Sequence, residues 1–227
     1  MLKLRTAALS LALVGTQAVA QDDFDFSFFG GGPARNYEVT ITNITPGQSF
    51  TPQLLVTHGQ NASLFELGQP ASEALEALAE GGATGPLTDA VVNVAEDVRT
   101  VDGLLGPGES VSATISSRGN RQLLSMAAML LPTNDTFVAV DSLRLPRQGS
   151  ATYFARAYDA GTEANDQDCA NIPGPLCGGE AISAPAADDE GFVHVSNGFH
   201  ELGGDALTPA RYDWRNPVAR VVVTRIR

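Results

Sequence analysis

The chain is 227 residues long and carries 26 acidic against 14 basic side chains, a formal charge of −12. A surface this acidic disfavours nucleic acid and anionic membranes as partners, because both present negative charge. It suits solubility and cation binding, although net charge alone defines no site.

The N-terminus has the organisation of an export signal. Lys3 and Arg5 form a charged n-region, Ala7 to Val14 an apolar h-region, and Ala18-Val19-Ala20 the small-x-small pattern a signal peptidase reads. The apolar run falls well short of the roughly 20 residues needed to span a bilayer. The expectation is a cleaved signal over 1–20 and a secreted or periplasmic protein with no transmembrane segment. Losing Lys3 and Arg5, and no acid, takes the charge from −12 to −14. Residues 21–35 follow as an acidic-aromatic leader, and the glycines at 30–32 predict flexibility there.

One domain is expected over 36–227. Tyr37, Val39 and Ile41 alternate with Glu38, Thr40 and Thr42, the period-two mark of a half-buried strand. Leu54 to His58 is a second strand. Residues 71–80 predict the one short helix, with Ala71, Ala74, Leu75, Leu78 and Ala79 on one face and Gly81-Gly82 ending it. Strand-like runs then recur over 109–116, 122–131, 137–145, 151–158, 192–195 and 219–226, divided by Gly- and Pro-rich turns. Many short strands without a βαβ alternation predict an all-β fold, an antiparallel β-sandwich.

Residues 157–210 form a long acidic loop region with ten acids and no Lys or Arg. A loop this long is usually functional or disordered. Cys169 and Cys177, the only cysteines, bracket a short Pro/Gly segment within it. In an oxidising compartment that even pair predicts a disulfide.

If the strands from 109 to 158 run alternately up and down, Glu109, the 132–136 turn and Asp159 share one end of the sheet. Glu109, Asp135 and Asp159 then cluster, and the adjoining loop adds Glu163 and Asp166. Like charges brought together repel and raise each other's pKa, and a hard divalent cation relieves that conflict. Calcium, with six to eight oxygen ligands in flexible geometry, fits such a loop cluster. A solvated acidic rim is the alternative, and no EF-hand or glycine-rich calcium repeat is present.

The same residues carry a family resemblance. Pro132 to Leu145 (PTNDTFVAVDSLRL) and Ala157 to Glu163 (AYDAGTE) resemble the paired signature of the spondin N-terminal domain family. Phe65 to Ala79, Glu190 to Gly198 (EGFVHVSNG) and Tyr212 to Val221 (YDWRNPVARV) also resemble segments of that family, especially its bacterial members. The resemblance implies a C2-like antiparallel sandwich with a calcium ion in its loops. In extracellular animal relatives that domain serves matrix and cell-surface adhesion. Asp135 and Asp159 match the family's metal-ligand aspartates, whereas Asp141 is mid-strand and structural. The family's further acid is replaced by Ser112 to Ser117 (SATISS), so that only Glu109, at the start of that strand, stands in for it.

Rival sites are weaker. His58, His194 and His200 are the only histidines and follow no metal-binding spacing such as H-E-x-x-H. Ser116, Ser117 and Ser125 lie in no G-x-S-x-G elbow. Tyr212 and Trp214 read as a core plug. A carbohydrate-binding module, or a hydrolase using the acidic loop or the histidines, stays as the alternative. The first expectation is a non-enzymatic, calcium-binding module that binds a protein or glycan at the cell surface.

Overall fold

The structure is a computed structural model that describes residues 33–183, 189–199 and 207–226. The expected signal segment, most of the leader and His200 lie outside those residues. Ten strands form one antiparallel sheet. They are β1 (Arg35–Asn43), β2 (Ser49–Phe50), β3 (Gln53–His58), β4 (Ala95–Val101), β5 (Ser110–Ser117), β6 (Leu123–Leu131), β7 (Thr136–Arg144), β8 (Ser150–Asp159), β9 (His194–Val195) and β10 (Ala219–Ile226). Their order is β4-β3-β6-β7-β8-β10-β1-β5, with β2 added beside β6 and β9 beside β8.

The two ends of this order approach each other. Thr57 of β3 donates its hydroxyl to the Ser116 carbonyl of β5 at 2.5 Å. Asp97 of β4 accepts from the Ser116 amide at 2.8 Å and from its hydroxyl at 3.0 Å. The sheet therefore curls on itself as a sandwich or barrel, with a side-chain clasp where a strand ladder is missing.

The sequence pattern follows the burial of each strand. β1, β8 and β10 alternate, because only one face of each is covered. β3 and β6 are buried along nearly their whole length, because both faces are covered, and β6 is a near-continuous apolar run. Leu55, Met126, Ala128, Leu130, Val138 and Val140 point into the main core with Tyr37, Ile41, Ile115, Trp214 and Val221. Leu54, Val56, Ala127, Phe137 and Ala139 point the other way, against Leu75, Leu78, Leu87 and Val91. Trp214 and Tyr212 are buried in the main core, as a core plug should be.

Those outer partners come from two helices where one was expected, α1 (Glu73–Gly81) and α2 (Thr84–Val91). Ser72 caps α1 by accepting from the Leu75 amide at 3.2 Å, and Gly82 closes it at φ 68°. α2 begins Thr-Gly-Pro, which reads as a turn. Pro86 sits in its first turn, where no amide donor is needed, and Leu87 and Val91 fix the helix by burial. A last short helix, α3 (Pro209–Tyr212), precedes β10.

One topological expectation is corrected. β5 pairs with β1 rather than with β6, so the strands from 109 to 158 are not one meander. Glu109 shares an end of the sheet with Asp159, but β10 and β1 lie between their strands.

Candidate metal centre

The β6–β7 turn and the end of β8 meet because Thr136 pairs with Asp159 in register. Beneath them Phe65, Phe137 and Tyr158 form a three-ring cluster with centroids 4.9 to 5.7 Å apart. Aromatic contacts of this kind make a firm floor for a loop site. The loop after β8 folds back over the turn, with the Ala160 amide donating to the Asp135 carbonyl at 3.2 Å.

Asp135 is fully buried. Its Oδ2 accepts from the amides of Thr162 (2.8 Å) and Glu163 (3.2 Å) and from the Thr162 hydroxyl (3.3 Å). Its Oδ1 is buried with no hydrogen-bond partner. Burial, reinforced by the charge of Asp159, holds the Asp135 carboxyl well above the usual carboxylate range. Asp159 is also buried and accepts from the Gly161 amide at 2.9 Å. Burial raises it too, against the lowering effect of His194.

His194 of β9 faces this carboxylate, its Nε2 lying 3.4 Å from Asp159 Oδ1 and 3.9 Å from Glu190 Oε2. Asp159, Glu190 and His194 each offer one ligand atom, all within 4.8 Å of one another. Glu190 and His194 were not among the expected ligands. They come from a segment some thirty residues beyond Asp159 that only pairing of β9 with β8 brings back. The E-x-x-x-H spacing on a glycine-flanked segment was their only trace in the sequence.

Glu163 is buried behind this group, with neither carboxylate oxygen in a formed hydrogen bond. Burial lifts it to about 7; Ser183 lowers it, and Glu80 and Asp166 raise it. Glu80, on the last turn of α1, is buried as well, and burial raises its carboxyl. Sequence reasoning passed over Glu80. The clue was an acid at a helix C-terminus, where the macrodipole favours a cation. No arginine is ion-paired to Glu80, Asp135, Asp159 or Glu163 among the described residues.

Glu109 stands apart. It is exposed, and its Oε2 accepts from the Gly106 amide at 2.9 Å, closing the 106–109 turn. Asp166 braces the loop, accepting from Asn134 and Asn171 side chains at 3.2 Å each. Cys169 and Cys177 form the expected disulfide. His58 and Asp141 both contact the Ser125 hydroxyl, at 2.8 and 3.0 Å. The Ser142 amide donates to that hydroxyl at 2.9 Å, at an irregularity between β6 and β7. Ser125 is thus a buried structural hub, and Asp141 is structural as expected.

Residues 35–167 match the family model described as Spondin_N, more than half of the chain. The chain belongs to the Spondin_N family. No curated protein matches it. The Spondin_N span contains Glu80, Asp135, Asp159 and Glu163, whereas Glu190, His194 and the disulfide lie beyond its end. The acidic centre of this Spondin_N protein is therefore built from the family segment and topped by a downstream one. No helix among the described residues is long and apolar enough to cross a membrane.

Proposed function

We propose that this Spondin_N protein is an exported, non-catalytic binding domain of the extracellular adhesion type, with a calcium ion at its loop end held by Asp135 and Asp159. In this reading 1–20 is a cleaved signal, 21–35 a leader and 36–227 the domain, delivered outside the cell or to the periplasm. The disulfide is consistent with an oxidising compartment. The partner is a protein or glycan at the cell surface.

The observation that carries the calcium site is the pairing of two buried carboxylates with no arginine partner among the described residues, one with a bare oxygen at Asp135 Oδ1. Buried carboxylates left this way are costly, and an oxygen-ligated cation removes the cost. A hundredfold excess of calcium over its Kd stabilises by about 2.7 kcal/mol. That corresponds to a rise in Tm of roughly 5–10 °C for a domain this size. Asp135→Asn with Asp159→Asn should abolish the rise, and a wild-type Tm indifferent to calcium would refute the site.

One observation favours a second reading of the ion. His194 beside Asp159 and Glu190 is a nitrogen donor, which zinc accepts and calcium avoids. The two separate cleanly on His194→Ala, which should leave a calcium-induced shift intact and erase a zinc-induced one.

A further inference from the structure

The charge that dominates the composition is unevenly placed. β1 and β6 begin, and β5, β7 and β10 end, at the end of the sheet opposite the acidic centre. That far end carries Arg35, Arg118, Arg121, Arg144, Arg147 and Arg225, in a chain whose acids outnumber its bases by 26 to 14. Glu96 pairs with Arg118 at 3.4 Å and with Arg121 at 3.2 Å. Arg35, Arg144, Arg147 and Arg225 form no ion pair among the described residues. A local positive field therefore stands out on an acidic molecule, and it attracts anions to that end.

Arg144 and Arg147 flank a cavity of about 520 Å³ between the β5–β6 and β7–β8 turns, a volume typical of small-ligand sites. Leu123 and Leu145 give it an apolar wall, Gln60, Asn120 and Gln122 add carboxamides, and no acid lines it. Its walls are held through the main chain. The Leu145 amide donates to the Gln122 carbonyl at 2.9 Å. The Tyr153 hydroxyl, on a ring packed against the main core, donates to the Arg144 carbonyl, and the Arg225 guanidinium donates to the Arg147 carbonyl. The guanidinium groups of Arg144 and Arg147 and the side-chain amides of Gln60 and Asn120 are left without a hydrogen-bond partner among the described residues.

A guanidinium takes a carboxylate through two parallel hydrogen bonds. Carboxamides both donate and accept, as sugar hydroxyls require, and leucine side chains suit the C–H face of a sugar ring. No aromatic ring lines the cavity for a nucleobase to stack on. The acidic remainder of the surface repels a long polyanion, which favours a single charged sugar on an otherwise neutral glycan. We propose that this cavity binds a terminal uronic-acid unit of an extracellular glycan, with Arg144 and Arg147 on its carboxylate and Gln60 and Asn120 on its hydroxyls. The site rests on the binding-domain reading for its extracellular partner and shares no residue with the calcium centre.

Calorimetric titration of the full chain, in calcium buffer, with a glucuronic-acid-capped xylotriose tests this, with the methyl ester of the same sugar as the uncharged control. The acid should bind, and the ester at least tenfold more weakly. Arg144→Gln with Arg147→Gln should cost at least tenfold in affinity for the acid, and Gln60→Ala with Asn120→Ala severalfold. Asp135→Asn with Asp159→Asn should leave the affinity unchanged, and circular dichroism checks that each variant folds. Equal binding of acid and ester, or binding that survives the arginine changes, overturns the site. Displacement of the sugar by an equal concentration of inorganic phosphate reduces the cavity to a bare anion site, and tighter arginine-dependent binding of a single-stranded oligonucleotide makes the partner a nucleic acid; either result overturns the sugar assignment. No sugar binding by a wild type whose Tm still rises with calcium overturns this site and spares the calcium-binding domain. Arginine-dependent sugar binding with a Tm indifferent to calcium does the reverse.

Discussion

Gly161 controls how closely the downstream segment can approach the acidic centre. Its φ is +68°, and a Cβ there would sit 2.4 Å from the Phe192 carbonyl oxygen. The Gly191 amide donates to the Gly161 carbonyl at 2.9 Å, so the two backbones are in direct contact at the residues between Glu190 and His194. Gly161→Ala is expected to cost roughly 1–3 kcal/mol, from the left-handed conformation and the displaced segment together. Urea unfolding measures that cost, and a midpoint within error of wild type would show that the segment moves aside freely. The same position explains how far the site was legible in the sequence. Asp135 and Asp159 stood in recognisable motifs with turn chemistry around them, so their meeting followed from strand alternation. Glu80 and His194 belong to other stretches of chain and are brought in by helix packing and a two-residue strand. Neither leaves a local pattern that periodicity detects. Glu109 failed to join them for the opposite reason: it sits at the correct end of its strand, but the strand is elsewhere in the sheet.

At the level of elements, the closure between β4 and β5 rests on Asp97. One carboxylate oxygen takes both the amide and the hydroxyl of Ser116, replacing a strand-to-strand bond. Asp97→Ala strands a backbone donor and should destabilise the fold by about 1–2 kcal/mol, whereas Asp97→Asn keeps an acceptor and should cost less. Equal losses in thermal unfolding for the two variants would argue that charge, not hydrogen bonding, holds the seam. β4 itself was unreadable because its sequence, AEDVRTV, lacks an apolar face and gains its place from pairing with β3. The short apolar stretch of β3 and the long one of β6 were legible as strands, but not as strands covered on both faces. That depends on α1 and α2, and α2 hides behind a Gly-Pro start that propensity reads as a turn.

For the molecule as a whole, the concentration of buried carboxylates at one end should oppose the usual dependence of stability on pH. Most native carboxylates are stabilised when ionised, so acid unfolds the protein. Here Asp135, Asp159, Glu80 and Glu163 all have raised pKa values, chiefly from burial. Glu163 moves from 4.5 to about 7, so between those values the native state binds a proton that the unfolded state has lost. Stability contributed by that proton is complete below pH ~4.5 and disappears as pH rises through 7. The other three groups shift in the same direction and add to the trend. Metal-free protein should therefore lose Tm steadily between pH 5 and pH 8, before any partner is considered. Calcium needs the deprotonated carboxylates, so its stabilisation should grow over the same interval and offset the loss. Calorimetry at several pH values, with chelated and calcium-loaded samples side by side, reads both slopes. A metal-free Tm that climbs with pH would mean that protein donors already stabilise these carboxylates in ionised form, and the physical case for a cation at this end of the sheet would fall with it.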